Sequence, residues 1–594
     1  MAEVKIQKPN VLVIMVDQWN HRCLSFKGHP DVKTPNLDRL RKDSVDFTRC
    51  YVQNSICLPS RTSYLTGQYL FHHRQYGFTG LMPEDTPCIS AFFRDHGYVT
   101  CHVGKANVNP MMDILGFDTF IPTLPEDMCF ATDPEETYQT YCRREGYEFP
   151  TDQVHGAELI PPAFKVRTTH VSWLPDSTGT SHIPLKDSPE AYTMGKALEW
   201  LDHRPKEKPF FLHVSFDRPH PPLTPSEPYD AVVDPESLTI PPPYTEEQAA
   251  KLPAHLHNYT KSRESLTIMG EENMRNTLAM YYGLMMHIDH EIGRIVDSLK
   301  ERGIYEETII LFYSDHGDMA GYKGLFNKYS NTVFHDDIIR TPMLIKLVDQ
   351  KHEGKAVGGL SEAIDVFPTL AGLCGLDCAA LKLDGMDLRE SIRQGETPPE
   401  RAAFSESYGI KVLIRGDWKL VHYVNSSEGE LYNLAEDPDE RVNRFSDLSC
   451  RAVVEGMEVG IIKKMTAPVS ERRKAFVRSL FDDSDYSRYG FMEKLFKWER
   501  SIIEGGGFWM VWRDGYRLTY LPFDNDLRFE KIDSTRKVVN QRLGLTQSED
   551  VAVREGMIRE LINFLSTKTR PISVITGGQV HWDNMLQSKG PGLC

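Results

Sequence analysis

The sequence lacks any apolar run long enough to cross a membrane. A spanning helix needs about 20 consecutive apolar residues, whereas the first apolar run of the chain, residues 11–16, ends at Asp17. A run of this length is also too short for the core of a signal peptide. We therefore expect no membrane segment and a cytoplasmic location.

Paired cysteines and an excess of positive charge are also lacking. None of the 11 cysteines stands in a C-x-x-C pair, and their odd number favours a reducing compartment over a disulfide framework. The formal net charge of -16 excludes the broad basic face that nucleic-acid binding needs. A locally positive cleft for a small anionic ligand remains compatible with this charge.

The length of 594 residues exceeds what one simple core fills. Hydrophobic residues make up 40% and charged residues 26% of the chain, as in globular proteins. Beyond residue 400 the sequence changes to short alternating segments. We therefore predict a large catalytic α/β domain over residues 1–400. A smaller domain over residues 401–594 would contain an antiparallel sheet and an additional tail.

Four apolar runs end directly in polar, chemically capable residues. The runs are "NVLVIMVDQ", "GYVTCHVGKAN", "PFFLHVSFDRPH" and "TIILFYSDHGD", and the polar residues include Asp17, Lys105, His220 and Asp315. Continuous apolar runs of this length are typical of parallel strands covered on both faces. Because ligands gather at the carboxyl ends of such strands, we expect these side chains to converge on one site.

A long helix is predicted between the third and fourth runs. Apolar residues recur there at helical spacing from Leu278 to Leu299, and Gly303 follows as a stop. The pattern indicates a helix that covers the sheet. We interpret His287, Asp289 and His290 on this helix as supporting residues rather than as metal ligands.

The C-terminal part contains a weak internal repeat. "IRGDWKLVHY" followed by "ELYNLAEDPDERVN" is echoed by "WRDGYRLTYL" followed by "LRFEKIDSTRKVVN". We interpret the copies as two similar strand pairs in one antiparallel sheet, with a helical stretch from Ser470 to Ile503 between them. Chance similarity of two hairpins is the alternative interpretation.

Cys57 stands at the predicted start of a helix in "CLPSRTSYLTG". Pro59 suits a first helical turn and Gly67 suits a C-terminal stop. The N-terminus of a helix favours negative charge, so this position is expected to lower the pKa of a thiol. It would equally hold an anionic ester against free backbone N–H groups. These arguments leave open whether Cys57 is structural or catalytic.

The same stretch resembles the type I sulfatase signature C-x-P-S-R...L-T-G, in which the cysteine is oxidised to Cα-formylglycine. Further segments resemble that family in the same order: "TPNLDRL", "YVTCHVGK", "PHPP", "SDHGD", "GLFNKYSNTVFHDDIIRTPMLI" and "ELYNLAEDPDE". The resemblance covers residues 8–443. It implies an alkaline-phosphatase-like α/β fold, in which helices sandwich a large, mixed, mostly parallel sheet, followed by a smaller C-terminal α+β domain with an antiparallel sheet.

The resemblance also implies roles for individual residues. The implied ligands of one divalent cation are Asp17, Gln18, Asp315, His316 and the formylglycine at Cys57. Ca²⁺ is the ion we expect, with Mg²⁺ or Mn²⁺ as alternatives. The implied cations around the ester are Arg61, Lys105 and Lys328, and His220 is the implied proton donor or hydrogen-bond partner of the leaving group.

Three positions depart from the commonest sulfatase pattern. Gln18 replaces a second aspartate and His316 replaces an asparagine, which makes the chain similar to choline sulfatases and phosphonate monoester hydrolases. Asn107 replaces the histidine that helps to eliminate sulfate, and an amide is no base at neutral pH. Either His102, His73 or Asp17 takes that role, or the step proceeds differently here.

The resulting expectation is a sulfuric ester hydrolase that uses a formylglycine gem-diol as nucleophile. The segment "DRPHPPL" is similar to that of uronate 2-O-sulfatases, so we expect a small sulfated substrate such as a glycosaminoglycan-derived saccharide. The expected partner is a formylglycine-generating or anaerobic sulfatase-maturating enzyme, and an oligomer is compatible with the sequence. Two alternatives remain: a phosphonate monoester or phosphodiester hydrolase, and an anion-binding homologue without catalysis.

Overall fold

The computed structural model describes residues 8–77, 82–83, 85–107, 115–123, 131–147, 178–329, 331–348, 354–398, 400–466, 498–499, 502–504, 509–513, 516–521, 526–532, 538–540 and 548–568. These residues form two compact units. The first unit contains the described residues up to Ser407 together with Asp439–Arg441. The second contains Tyr408–Pro438 and the described residues from Val442 onwards.

Strands and helices alternate through the first unit, and strands dominate the second. The strands are β1 (Asn10–Val16), β2 (Ser44–Phe47), β3 (Cys50–Tyr51), β4 (Val99–Gly104), β5 (Thr119–Pro122), β6 (Phe210–Ser215), β7 (Thr308–Ser314), β8 (Arg340–Thr341), β9 (Met343–Lys346), β10 (Ala356–Val357), β11 (Ser361–Glu362), β12 (Ala402–Glu406), β13 (Ile410–Arg415), β14 (Trp418–Tyr423), β15 (Gly429–Asn433), β16 (Trp498–Glu499), β17 (Ile502–Glu504), β18 (Trp509–Arg513), β19 (Tyr516–Leu521), β20 (Asp526–Ile532) and β21 (Val538–Asn540). The α-helices are α1 (Pro35–Lys42), α2 (Cys57–Thr66), α3 (Leu70–His73), α4 (Ile89–Asp95), α5 (Tyr138–Glu145), α6 (Pro189–His203), α7 (Glu246–Ala250), α8 (Ala254–Tyr259), α9 (Leu266–Met269), α10 (Glu271–Glu301), α11 (Asp336–Ile339), α12 (Val366–Leu373), α13 (Arg389–Gln394), α14 (Arg451–Met465) and α15 (Ser548–Lys568).

An eight-stranded sheet forms the centre of the first unit, in the order β10-β2-β9-β7-β1-β6-β4-β5. The five strands from β7 to β5 are mutually parallel, and β9 is antiparallel to both β7 and β2. The four apolar runs of the sequence are β1, β4, β6 and β7, and they are neighbours. The predicted large, mostly parallel mixed sheet is confirmed.

Helices cover both faces of this sheet. Leu212 and Val214 of β6 belong to the core that α10 and α6 complete, while Phe211, on the opposite face of the strand, stacks on Phe93 of α4. Burial on both faces explains why these strands read as continuous apolar runs rather than as alternating ones. The predicted covering helix is α10, which buries an apolar stripe that includes Leu278 and Leu299.

The carboxyl ends of four strands lie at the same edge of the sheet. Val16 of β1 pairs with Ser314 of β7, and Gly104 of β4 pairs with Ser215 of β6. The polar residues that follow these four strands therefore lie along the same edge of the sheet. Among the described residues, no helix has the length and apolar character that a bilayer crossing requires.

The second unit differs from two predictions. Both repeat copies form antiparallel strand pairs, β14 with β15 and β19 with β20, as expected. They lie in two different sheets rather than in one, because β19 and β20 are central in a six-stranded sheet made of β16–β21. The helical stretch predicted from Ser470 to Ile503 is also wrong at its C-terminal end, because β16 and β17 lie there. The rest of that stretch lies outside the described residues.

Two helical glycines give a stability prediction for the first unit. A Cβ on Gly283 of α10 would lie 2.1 Å from the Tyr229 carbonyl oxygen, whereas a Cβ on Gly195 of α6 meets nothing within 4 Å. Gly283→Ala should therefore lower the free energy of unfolding by about 1–3 kcal/mol. The matched control Gly195→Ala should raise it by about 0.5–1 kcal/mol, because alanine favours helix. Urea denaturation measures both changes, and equal stability of the two variants would contradict the close approach.

Candidate active site

Helix α2 presents Cys57 at its first residue. Ile56 before it is extended, and Gly67 ends the helix in the left-handed region at φ 65°. All ten residues of the helix are buried, and its two buried threonine hydroxyls after Cys57 bond back to the helix: Thr62 Oγ1 donates to the Leu58 carbonyl oxygen at 2.8 Å and Thr66 Oγ1 to the Thr62 carbonyl oxygen at 2.7 Å. The predicted helix start at Cys57 is confirmed.

The guanidinium group of Arg61, one turn into α2, joins the ends of four strands. Its Nε donates to Asp315 Oδ2 at 2.6 Å, and its Nη2 donates to Asp17 Oδ2 at 3.2 Å. Its Nη1 donates to the Lys105 carbonyl oxygen and to Ser215 Oγ, both at 2.8 Å. These bonds use four of its five N–H groups. Arg61 therefore holds the two carboxylates in place.

Electrostatics keep this buried cluster ionised. Burial opposes the charge of Arg61, but Asp315 and Asp17 outweigh it and hold the pKa of Arg61 above its ordinary value. Burial likewise opposes ionisation of Asp17, but nearby cations, Lys105 foremost, hold the pKa of Asp17 well below its ordinary value. The carboxylate of Asp17 is therefore charged although it is fully buried.

The side chains of Asp17, Cys57 and His316 form a group suited to a metal ion. One potential ligand atom from each lies within 4.8 Å of the others. His316 Nδ1 lies 3.0 Å from the Gly317 carbonyl oxygen, so Nδ1 carries the proton and the lone pair is on Nε2. Nε2 lies 3.5 Å from Asp17 Oδ1 and 3.8 Å from Asp315 Oδ1.

Two buried oxygens at this position have no hydrogen-bond partner among the described residues: Asp17 Oδ1 and Gln18 Oε1. The Gln18 amide nitrogen donates to Asp318 Oδ2 at 2.5 Å, which turns its oxygen away from that carboxylate. Gln18 holds a left-handed backbone conformation at φ 67°, which a non-glycine residue rarely adopts. Carboxylate and amide oxygens with one imidazole nitrogen fit a divalent cation.

Two lysines supply positive charge next to these groups. Lys105 Nζ is fully buried and lies 2.7 Å from Asp17 Oδ2 and 2.9 Å from Asp217 Oδ1. Lys328 Nζ lies 3.4 Å from His316 Nε2. The structure therefore brings both predicted lysines to the predicted ligands.

Asn107 contacts Cys57 directly. Its Nδ2 lies 3.4 Å from Cys57 Sγ, and its backbone is left-handed at φ 47°. Asn107, at the position where many sulfatases have a histidine, therefore reaches the Cys57 sulfur and donates a hydrogen bond to it.

Neither His102 nor His73 makes a described contact with Cys57. His102 Nδ1 lies 2.9 Å from His213 Nδ1, and His73 Nε2 lies 2.8 Å from Ser63 Oγ. Burial lowers the pKa of each of these two rings to about 3. Both histidines therefore belong to the packing behind the site, and their contacts do not support them as the missing base.

His220 lies in the same electrostatic cluster with a defined tautomer. Its Nδ1 lies 2.6 Å from the Pro221 carbonyl oxygen, so Nδ1 carries the proton and Nε2 carries the lone pair. Burial, with Lys328 and Lys105, holds the pKa of His220 well below its ordinary value. In the substrate-free site His220 is therefore neutral and accepts a proton at Nε2.

The expected activation of the Cys57 thiol is wrong. Burial raises the pKa of Cys57, and the carboxylates of Asp17 and Asp315 add to that effect, while Lys328 and Lys105 only partly oppose it. The position at the helix N-terminus does not overcome burial. The thiol therefore stays protonated, and an unmodified Cys57 is a weak nucleophile.

Sequence reasoning missed several polar partners. Asp217 bonds Lys105, and Asp318 holds the Gln18 amide and accepts from the Asn327 backbone N–H at 3.0 Å. Asp217 stands inside the quoted run "PFFLHVSFDRPH", two residues past its strand. Its position just after a predicted strand is the sequence signal that could have identified Asp217 as a residue of the site.

Comparison with known families agrees with this geometry. Residues 9–376 match the Sulfatase family model, and residues 321–467 match the model "N-sulphoglucosamine sulphohydrolase, C-terminal". The first match covers more than half of the chain and contains every residue of the site described above.

Known proteins resemble most of the chain. An arylsulfatase of Clostridium perfringens is 28% identical, covering 77% of this chain and 94% of its own. The multifunctional alkaline phosphatase superfamily protein PehA of Trinickia caryophylli is 30% identical, with 75% and 93% covered. Iduronate 2-sulfatase of Mus musculus is 26% identical, with 62% and 69% covered.

Among solved structures, the phosphonate monoester hydrolase of Agrobacterium radiobacter aligns with a TM-score of 0.63 and 25% identity. The alignment covers 77% of this chain and 95% of that one. Members of this family generally use formylglycine and a divalent metal ion. The family match, the relatives and the shared fold together show that the chain belongs to the sulfatase family of hydrolases, within the alkaline-phosphatase-like superfamily.

Proposed function

We propose that Cys57 is converted to Cα-formylglycine and that the hydrated aldehyde cleaves a sulfate ester. One hydroxyl attacks sulfur, the alcohol leaves, and a covalent sulfo-enzyme remains. Deprotonation of the second hydroxyl re-forms the aldehyde and expels sulfate by breaking the carbon–oxygen bond. The contacts of Cys57 with Asn107, Asp17 and His316 carry this proposal, because they surround the sulfur with one donor and two candidate metal ligands.

A divalent cation would be held by Asp17, Gln18, Asp315 and His316 together with the formylglycine oxygen. Bound there, it polarises a sulfate oxygen and favours ionisation of the attacking hydroxyl. We propose Ca²⁺, because the buried carboxylate and amide oxygens match its preference, with Mg²⁺ or Mn²⁺ as alternatives. A formylglycine-generating or anaerobic sulfatase-maturating enzyme is the partner that this chemistry requires.

Lys105 and Lys328 would hold the negative charge on the ester oxygens and on the leaving oxygen. The resemblance implies that His220 is the proton donor or hydrogen-bond partner of the leaving group. Its lowered pKa and the lone pair on Nε2 favour a different role, and we propose it as the acceptor for the proton of the second hydroxyl. This assignment supplies the base that Asn107 cannot provide. The protonated ring then returns its proton to solvent before the next turnover.

We propose a sulfated carbohydrate as the substrate class, specifically a uronate 2-O-sulfated saccharide of glycosaminoglycan origin. The likeness to iduronate 2-sulfatase and the segment "DRPHPPL" around His220 support this choice. An oligomeric protein is compatible with this function.

Hydrolysis of phosphonate monoesters or phosphodiesters is the second candidate. The observation that favours it is the neutral Gln18 at a position where a carboxylate is common, together with the likeness to the phosphonate monoester hydrolase. A non-catalytic anion-binding protein is the third candidate, and it would retain the Cys57 thiol.

The first test is the covalent state of residue 57. Conversion of CH2SH to CHO should lower the mass of the Cys57 peptide by about 18 Da. Cys57→Ala should abolish turnover of an aryl sulfate, because no gem-diol can form. The control Cys378→Ala, at a partly exposed cysteine, should leave turnover intact. A fully active protein with an unmodified thiol would exclude the mechanism.

The substrate class is tested by comparing kcat/KM on three esters: a uronate 2-O-sulfated disaccharide, an aryl sulfate and a phosphonate monoester. We expect the disaccharide to be preferred by about tenfold or more, because contacts remote from the reacting sulfur raise kcat/KM. Preference for the phosphonate would favour the second candidate. Turnover of the aryl sulfate without any sulfated saccharide would contradict the carbohydrate assignment.

The role of His220 predicts the acid limb of the pH profile. Because the neutral ring accepts the proton of the second hydroxyl, which is lost only after the alcohol has left, the acid limb should appear in kcat rather than in kcat/KM. Burial and the two lysines lower the pKa of the ring, so kcat should fall only as the pH drops well below about 6.5. His220→Gln should lower kcat and remove this limb. The control His203→Gln, on the exposed side of α6, should keep the wild-type profile. A rate that rises as the pH falls would show that the imidazolium form is required.

A further inference from the structure

Asp217 is a carboxylate of the site whose role the sequence does not reveal. It lies two residues after β6, at the edge where Asp17 and Lys105 follow their own strands. Its side chain is only 8% exposed. Both of its oxygens are engaged: Oδ1 lies 2.9 Å from Lys105 Nζ, and Oδ2 lies 3.2 Å from Arg218 Nη1.

The ammonium group of Lys105 is held by two carboxylates that follow different strands, Asp17 after β1 and Asp217 after β6. It has three N–H donors, and among the described residues Asp17 and Asp217 take two of them. The third donor is left for an ester oxygen. A lysine stem is flexible, so this third donor points in one direction only while both carboxylates hold the other two.

Asp217 also fixes the turn that carries His220. Arg218 Nη1, which bonds Asp217, donates to the His220 carbonyl oxygen at 3.3 Å, and Arg218 Nε lies 3.8 Å from Glu190 Oε1. Arg218 and Glu190 are themselves buried and opposite in charge. One carboxylate therefore connects the lysine that faces the ester with the turn that holds the histidine.

Asp217 contributes one buried negative charge beside two cations, Lys105 and Arg218. Lys105 also contacts Asp17, and Arg218 also lies near Glu190. Loss of the charge at residue 217 adds one positive charge to the site, whichever cation is bound.

We propose that Asp217 is a positioning residue that orients Lys105 and sets the site to accept an ester with one negative charge rather than two. This inference rests on the proposed hydrolysis of monoanionic tetrahedral esters. Sulfate monoesters and phosphonate monoesters carry one charge, whereas phosphate monoesters carry two near neutral pH. Asp217 therefore selects against phosphate monoesters, which resemble the substrate in shape.

Asp217→Asn tests the charge and nearly preserves the shape. With 4-nitrophenyl sulfate and 4-nitrophenyl phosphate as substrates, the ratio of kcat/KM for phosphate to that for sulfate should rise by about tenfold or more. Asp217→Glu keeps the charge and moves it, so it should lower kcat while leaving the ratio near that of the wild type. The control Asp202→Asn makes the same change of net charge at an exposed residue and should leave both parameters unchanged.

A binding measurement separates this inference from the proposed function. Calorimetry compares methanesulfonate, which has one negative charge, with inorganic sulfate, which has two. Asp217→Asn should tighten sulfate relative to methanesulfonate by about tenfold, with no turnover involved. A wild-type protein that hydrolyses no sulfate ester would refute the proposed function. The change in relative affinity for sulfate and methanesulfonate would still test the role of Asp217. An Asn variant with native circular dichroism and unchanged ratios in both experiments would overturn the inference.

Discussion

The buried guanidinium group of Arg61 is the interaction on which the site depends. The parallel sheet delivers Asp17 and Asp315 to one edge, where both are fully buried. Two carboxylates at such a position repel each other and lose their hydration, so neither would stay charged alone. Arg61 Nε and Nη2 bond one carboxylate each, at 2.6 and 3.2 Å, and Nη1 bonds the ends of the neighbouring strands. One residue of α2 therefore both compensates the buried negative charges and attaches the helix to the sheet edge.

That attachment also decides where Cys57 lies. Arg61 and Cys57 share one helix and stand one turn apart, so the bonds that fix the arginine also bring the sulfur to the carboxylates. The cost is visible in the thiol: burial beside Asp17 and Asp315 raises the pKa of Cys57. Beside two carboxylates and away from water, a thiolate is disfavoured. The proposed conversion of the thiol into a hydrated aldehyde would place a neutral group there instead.

The sequence predicted what depends on local pattern and failed where distant contacts decide. Buried runs that end in polar residues predicted β1, β4, β6 and β7 and the edge where their ends meet, because burial on both faces leaves a pattern in the run itself. The partnership of Asp217 with Lys105 left no such pattern, since the two residues are 112 positions apart. The sign of the Cys57 pKa change was missed because a helix N-terminus can be read from sequence and the depth of its burial cannot. The two C-terminal sheets were merged because similar hairpins do not specify which strands lie beside them.

Asn107 stands where many sulfatases have a histidine, and in the proposed mechanism the proton acceptor lies at another strand end, at His220. An amide next to the sulfur donates a hydrogen bond at 3.4 Å and accepts no proton, so it steadies the group at residue 57 without activating it. The neutral ring of His220 has its Nδ1 proton committed to the Pro221 carbonyl oxygen, which leaves a lone pair at Nε2. Burial, with Lys328 and Lys105, disfavours a positive charge on that ring, so the ring is neutral in the substrate-free site. The negative charge of a bound ester would raise the pKa of the ring, and in the proposed mechanism this would make the ring a stronger base when the second hydroxyl loses its proton.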